Sequence, residues 1–226
     1  KINRNNALNE TSGLLYLKKK IWTHNDSGGD AVLFQRNNST GIIENTFTIS
    51  NATNTDWEDL AQDDVYIYIG DFGNNANGNR TDLKIYKVAK ADILSGNTIT
   101  ASVISYSYSD QTDFTPKGSN NTNFDCEAMI AFGDSLFLFS KNWVDNKTKL
   151  YKLPKTPGNH IAEKIGELNV QGLISGADIV PEQRVILLSG YNMALAPFIY
   201  LLYDFTGNDF LSANKRKAQI NQGFTQ

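Results

Sequence analysis

The sequence predicts an all-β fold, a β-propeller of four-stranded antiparallel blades, and three observations predict it. Four segments repeat one pattern: an acidic residue, a short apolar strand, a polar turn, a strongly apolar strand, then a polar cluster rich in Asn. The spacing fits the roughly 40–50 residues that a four-stranded blade occupies. No amphipathic helical stretch interrupts the series, and Lys90–Ser95 allows one helical turn at most. A run of β units without helices leaves sandwich, barrel or propeller. The regular period selects the propeller, because repetition around an axis leaves few exposed edges. A two-layer sandwich with fortuitous similarity is the alternative.

The first copy opens at Glu10 and continues into the apolar strand from Ile21, the second opens at Glu58 and continues from Val65. The third opens at Glu127 and continues from Leu136, the fourth at Asp178 and from Val185. Third strands follow at Ala31–Phe34, Leu83–Val88, Lys149–Leu153 and Phe198–Phe205, and fourth strands at Ile42–Ile49, Ala101–Ser109, Ile161–Leu168 and Asn214–Ile220. Several alternate apolar and polar residues, as half-buried strands do. The second strands are nearly continuous in Val, Ile, Leu, Phe and Tyr, as strands covered on both faces would be. The expected single domain spans 1–226, with blades near 10–50, 58–110, 127–169 and 178–220. The long second interval holds an extended polar loop, 110–123, marked by Pro116 and Gly118.

Chain reversal within a blade returns the second strand to the face where the first began. This places Glu10, Glu58, Glu127 and Asp178 around the mouth of a central channel. The turns after the second strands surround them and offer Asn25, Asp26, Asp71, Asn74, Asn75, Lys141, Asn142, Trp143 and Tyr191 as ligand-facing residues. Carboxylates gathered at one axis repel and resist desolvation. Three outcomes follow: a hard cation such as Ca²⁺ binds them, Lys141, Arg80 or His24 pairs with them, or each accepts backbone N–H bonds from the next blade as a structural clip. The turn-forming strings at Asp26, Asp71 and Asn74 serve equally as plain turns.

A net charge of −3 excludes a broad nucleic-acid surface, and the basic run Lys18–Lys20 reads as a solvated hairpin turn. No apolar run reaches the ~18 residues of a membrane-spanning helix. The one cysteine, Cys126, forbids an intrachain disulfide and reads as a small buried residue. With only His24 and His160, a histidine metal site has too few ligands. A triad of His24 with Asp26 and Ser27 fails because neighbours in a turn point apart. Gly70-Asp-Phe-Gly lacks the lysine and helix of a phosphate loop. Trp143, in a polar turn, can stack on a sugar ring.

The strings Trp22-Thr-His-Asn-Asp-Ser-Gly, Asp56-Trp-Glu-Asp-Leu-Ala, Ile69-Gly-Asp-Phe-Gly-Asn-Asn, Phe124-Asp-Cys-Glu-Ala-Met and Ser175-Gly-Ala-Asp resemble, in this order, a group of bacterial exported β-propeller proteins common in Bacteroidetes-type bacteria. The resemblance covers nearly the whole chain and implies the fold and a secreted, cell-surface or periplasmic location. It also implies a further Glu-led blade beyond the position of Lys215, hence five or six blades; otherwise the opening segment, 1–9, pairs with the last strands. More distantly the layout is similar to calcium-dependent propeller phytases and gluconolactonase-like propellers. That likeness implies Ca²⁺ held by Glu58, Asp71, Asn74, Glu127 and Asp178, although the dense Lys/Arg set needed for phosphate is missing.

Two readings result, beside a third in which the protein is a scaffold with no small ligand. One is a monomeric binding module presenting an acidic, Asn-rich face to a cation, small molecule, glycan or protein. The other is a Ca²⁺-assisted hydrolase of an ester, lactone or phosphoester, with Glu58 or Asp71 as general base.

Overall fold

The computed structural model describes residues 7–221. Among these, seventeen strands form three sheets, and the helical content is two single 3-10 turns, Asp92–Leu94 and Pro181–Gln183. The strands are β1 (Thr11–Leu17), β2 (Lys20–Asn25), β3 (Val32–Asn37), β4 (Ile43–Ile49), β5 (Trp57–Gln62), β6 (Tyr66–Asp71), β7 (Lys84–Ala89), β8 (Thr98–Ile99) and β9 (Ser102–Tyr108). They continue as β10 (Asp125–Phe132), β11 (Ser135–Lys141), β12 (Thr148–Pro154), β13 (Gly158–Leu168), β14 (Leu173–Val180), β15 (Val185–Tyr191), β16 (Pro197–Tyr203) and β17 (Asn214–Gln219).

The sheet orders are β1-β2-β3-β4-β8, β10-β11-β12-β13-β9-β7-β6-β5 and β14-β15-β16-β17. Antiparallel pairing runs through β1 to β4, through β5, β6, β7 and β9, through β10 to β13, and through β14 to β17. Two parallel pairings, β4 with β8 and β13 with β9, join strands from neighbouring runs. The repeat did not foretell these joins, because edge pairing is decided by which outer strands happen to meet.

Three apolar cores lie between successive runs. Trp22, Leu33 and Phe47 meet Trp57, Ile67 and Ile69. Tyr68, Ile85 and Ile104 meet Met129, Leu136 and Leu138. Phe137, Phe139 and Leu150 meet Ile186, Leu188 and Phe198. The period of two in a strand explains the division: in β6 the side chains of Ile67 and Ile69 enter one core and that of Tyr68 the other. Each buried leucine or isoleucine contributes about 1.5–3 kcal/mol of transfer free energy. Cys126 is a free, buried thiol, and Lys18 and Lys19 form the β1–β2 turn with positive φ.

The first strands lie side by side, β10 against β5 and β14, and β1 against β5. Each carries an irregularity at the same place, between Ser12 and Leu14, Trp57 and Asp59, Cys126 and Ala128, and Ile174 and Gly176. The residues skipped in the ladder are Gly13, Glu58, Glu127 and Ser175, and a bulge re-aims the residue it leaves unpaired. These four are the structurally equivalent positions. The sequence alignment on acids was therefore offset at both ends. Glu10 precedes β1, and Asp178 lies well inside β14, opposite Leu187. The fourth unit starts at Leu173 rather than at 178. The expected pairing of 1–9 with the last strands falls mostly outside the described residues; within them, Asn25 holds Ala7 O and the Asn9 amide.

Gly13 has φ +57, and an added Cβ would lie 2.5 Å from His24 Nε2 and 3.1 Å from Leu60 Cγ. His24 cannot yield, since it is fully buried, stacks edge-on against Trp57 and is tied through Nδ1 to Asn25 O at 2.9 Å. Gly13→Ala is expected to destabilise by about 2 kcal/mol or more, from left-handed strain plus overpacking. Urea denaturation measures it, and a change below about 0.5 kcal/mol contradicts the packing described.

Candidate functional site

A cleft of about 820 Å³ opens at the bulged ends of the first strands, and Gly13, Glu58, Glu127 and Ser175 all line it. Its rim adds Glu10, Asp26, Asp56, Asn75, Asn120, Lys141, Trp143 and Tyr191. The loop 110–123 helps to build this rim: the Asn120 amide donates to Asn75 O at 2.8 Å, and the Trp143 amide to Thr122 O at 3.0 Å.

Asp26, Asp56 and Glu58 each bring one carboxylate oxygen to within 4.8 Å of the others. No described lysine or arginine makes an ion pair with any of the three. Glu58 is only 5% exposed, and among the described residues Ser12 Oγ donates to its backbone O, with no hydrogen bond on the carboxylate. Burial first, then the carboxylates of Glu127 and Asp26, hold the Glu58 pKa well above the ordinary range. Burial, with Asp26 and Asp125 nearby, raises that of Asp56 to about 6. Burial also raises that of Asp26.

Two further acids near the cleft, Glu127 and Asp125, have partners within the protein. Glu127 accepts from Lys141 Nζ at 2.6 Å, and burial still lifts its pKa to about 7. The Lys141 ammonium is fitted between the rings of Trp143 and Tyr191, 4.6 and 5.2 Å from their centroids. Asp125 accepts from the Asn74 amide and from Trp143 Nε1, each at 2.7 Å. Lys141 Nζ and Asp125 thus hold the Trp143 ring in place at the cleft, where it stays partly exposed.

Asp71 departs most from expectation. It is fully buried, and its Oδ1 accepts from Arg80 Nη2 at 2.9 Å and from the Asp56 amide at 3.1 Å. It supports the loop behind the cleft and cannot touch a substrate. Asn74 acts likewise, donating to Phe124 O and accepting from the Arg80 amide. Asn142 closes its own turn through Ser140 and Asp145, and Asn25 serves the segment before β1. None of these four lines the cleft. Asp178 is exposed in a second cleft of about 510 Å³, with Leu60, Met129, Phe132 and Lys155 on its wall. Its side chain faces the other end of the first strands, because it sits three residues past the bulge.

Sequence reasoning missed Asp56, although it opens the Asp-Trp-Glu-Asp string. It sits two residues before the bulged Glu58, as Asp125 does before Glu127, but the first and fourth copies lack such an acid, and an alignment that starts each copy at its Glu passes over both. Asp59 was missed too, and it performs the clip role foreseen for the others. Its carboxylate is fully buried and accepts from the Leu60 amide at 2.9 Å and the Met129 amide of the adjacent β10 at 2.8 Å.

No protein-family model and no curated protein matches the chain. Solved structures do. A putative 6-phosphogluconolactonase from Bacteroides uniformis aligns at TM-score 0.44 and 12% identity, over 94% of this chain and 57% of that one. A chain of a mitotic checkpoint complex aligns at TM-score 0.37 and 8% identity, over 98% of this chain and 82% of that one. This chain therefore spans little more than half the length of the lactonase-like protein. No helix among the described residues is long and apolar enough to cross a membrane.

Proposed function

We propose that the protein is an exported binding module of propeller architecture that holds a calcium-class cation at the mouth of its central cleft. One observation carries this reading: Asp26, Asp56 and Glu58 converge without a basic partner among the described residues, and Glu58 does so while buried. An unpaired buried carboxylate such as that of Glu58 costs several kcal/mol unless protonated or bound to a cation, while Asp26 and Asp56 beside it are half-buried. The donors are all hard oxygens, which suits Ca²⁺ with its 6–8 flexible ligand positions. Asn75, Asn120 and Ser175 line the same cleft, and positions left open on the ion would take oxygen atoms of a ligand.

In this reading each antiparallel run of four strands is one blade. The alternation of apolar residues onto two successive cores supports it. The outward faces of the first and fourth runs show Leu14 at 69%, Tyr16 at 58% and Leu187 at 36% exposure, which supports a ring of more than four blades.

Calcium titration by thermal shift tests the proposal. At a hundredfold excess over Kd, binding to the folded state adds about 2.7 kcal/mol, or about 5–10 °C for a chain of this size. Glu58→Gln should abolish the shift. The shift should also shrink as the pH falls from 8 to 5, because protons then compete for Asp56 and Glu58, whose pKa values are raised. A Tm unmoved by millimolar Ca²⁺ at pH 8 overturns the reading.

A hydrolase remains the second reading, supported by Glu127, which lines the cleft with a pKa of about 7. Turnover of an ester, lactone or phosphoester that Glu127→Gln removes would establish it.

A further inference from the structure

We infer that Gly73 is a positioning residue for the cation: the bare Cα at this place lets the carboxylates of Asp56 and Glu58 close on one another. This rests on the cation reading above. A Cβ built on Gly73 would lie 2.5 Å from Glu58 Oε1 and would overlap Asp56 Oδ2. The backbone does not require glycine here, because Gly73 is not among the residues with positive φ. The turn role that a Gly-Asn-Asn string suggests therefore does not account for it. What the residue supplies is space.

That space is held open deliberately by its surroundings. The amides of Phe72 and Gly73 both donate to Asp56 O at 3.1 Å. Gly73 O accepts from Arg80 Nη1 at 2.7 Å, and the next amide, of Asn74, donates to Asp125 Oδ1 at 2.7 Å. With the loop bound on both sides, a methyl group at this position must displace the carboxylates rather than the backbone. Gly70 offers the contrast. Its Cβ position is filled by the ring of Phe72, a close approach that serves the core. At Gly73 the occupants are two groups that repel each other, and one of them, the Glu58 carboxylate, is buried and without a hydrogen-bond partner among the described residues. A cation between them turns that repulsion into coordination, and only a glycine permits both to approach.

Calorimetric titration of CaCl₂ into the wild type, Gly73→Ala and Gly29→Ala tests this. Gly29 is a fair control, since nothing lies within 4 Å of its Cβ position and its φ is not positive. The expected result is Ca²⁺ binding weakened about 10- to 100-fold in Gly73→Ala, the range for residues that orient metal ligands, and unchanged in Gly29→Ala. The Tm of Gly73→Ala in chelator should stay within about 5 °C of the wild type, because flexible side chains absorb the change. Should it fall further, Gly73→Ala/Glu58→Ala, with one colliding group removed, must recover part of the loss. Calcium affinity within about twofold of wild type in Gly73→Ala overturns the inference while leaving the cation reading intact. Failure of that recovery also overturns it. Absence of Ca²⁺ binding to the wild type overturns both.

Discussion

Replacing Asp59, buried between the first strands, by alanine is expected to lower stability by about 3 kcal/mol. The substitution strands the Leu60 and Met129 amides without their acceptor in a fully buried site, and each unsatisfied donor costs about 1–3 kcal/mol. The Ala177 amide of β14 also faces this carboxylate, so three of the four first strands meet on it. For a chain of this size the change corresponds to a Tm lower by roughly 6–12 °C. Asp59→Asn, which keeps one acceptor, should cost less. The pH dependence has a definite sign. Burial raises the folded-state pKa of Asp59 above its unfolded value, so its contribution is complete below about pH 4 and is lost as the pH climbs through the folded-state pKa. The stability gap between wild type and Asp59→Asn should therefore narrow from acid to alkaline pH. Chemical denaturation of the two proteins across this range measures it, and a gap that widens rejects a raised pKa.

Lys141→Met is expected to cost about 3 kcal/mol at pH 8, because it leaves the Glu127 carboxylate buried without its cation. Part of that cost is limited by protonation, since Glu127 already titrates near 7 with Lys141 in place and would take up a proton more readily without it. The loss should accordingly be smaller at pH 6. Glu127→Gln/Lys141→Met removes both charges and should recover most of the stability, because the remaining side chains still fill the space beside Trp143 and Tyr191. Additive losses in this double-mutant cycle would show that the pair is not coupled. Calcium affinity should rise in Lys141→Met, since the Lys141 charge also acts on Asp26, one of the three proposed ligands.

The offset between repeat and ladder has a plain cause. An acid at the start of each unit is visible as a letter, but a bulge is a relation between two strands. Glu58 and Glu127 fell on the bulges and so were found in the cleft, while Glu10 reached only its rim and Asp178 the opposite end. Lys141 pairs with one of the four acids, Glu127, whereas Arg80 pairs with Asp71 and Asp82, outside that set. Among the described residues His24 pairs with none of the four: burial depresses its pKa to about 4, leaving it neutral beneath Gly13.

Apolar alternation, turn residues and the absence of helical periodicity were enough to establish an all-β chain of strand runs, since these are properties of consecutive residues. The grouping of Asp26, Asp56 and Glu58 emerged only in three dimensions. Their proximity depends on Asp71 and Arg80 holding the loop behind Gly73, and on a bulge that turns Glu58 toward the cleft. Charge repulsion opposes such a grouping at every step of the sequence. It is the rigid packing of neighbouring strands that imposes it.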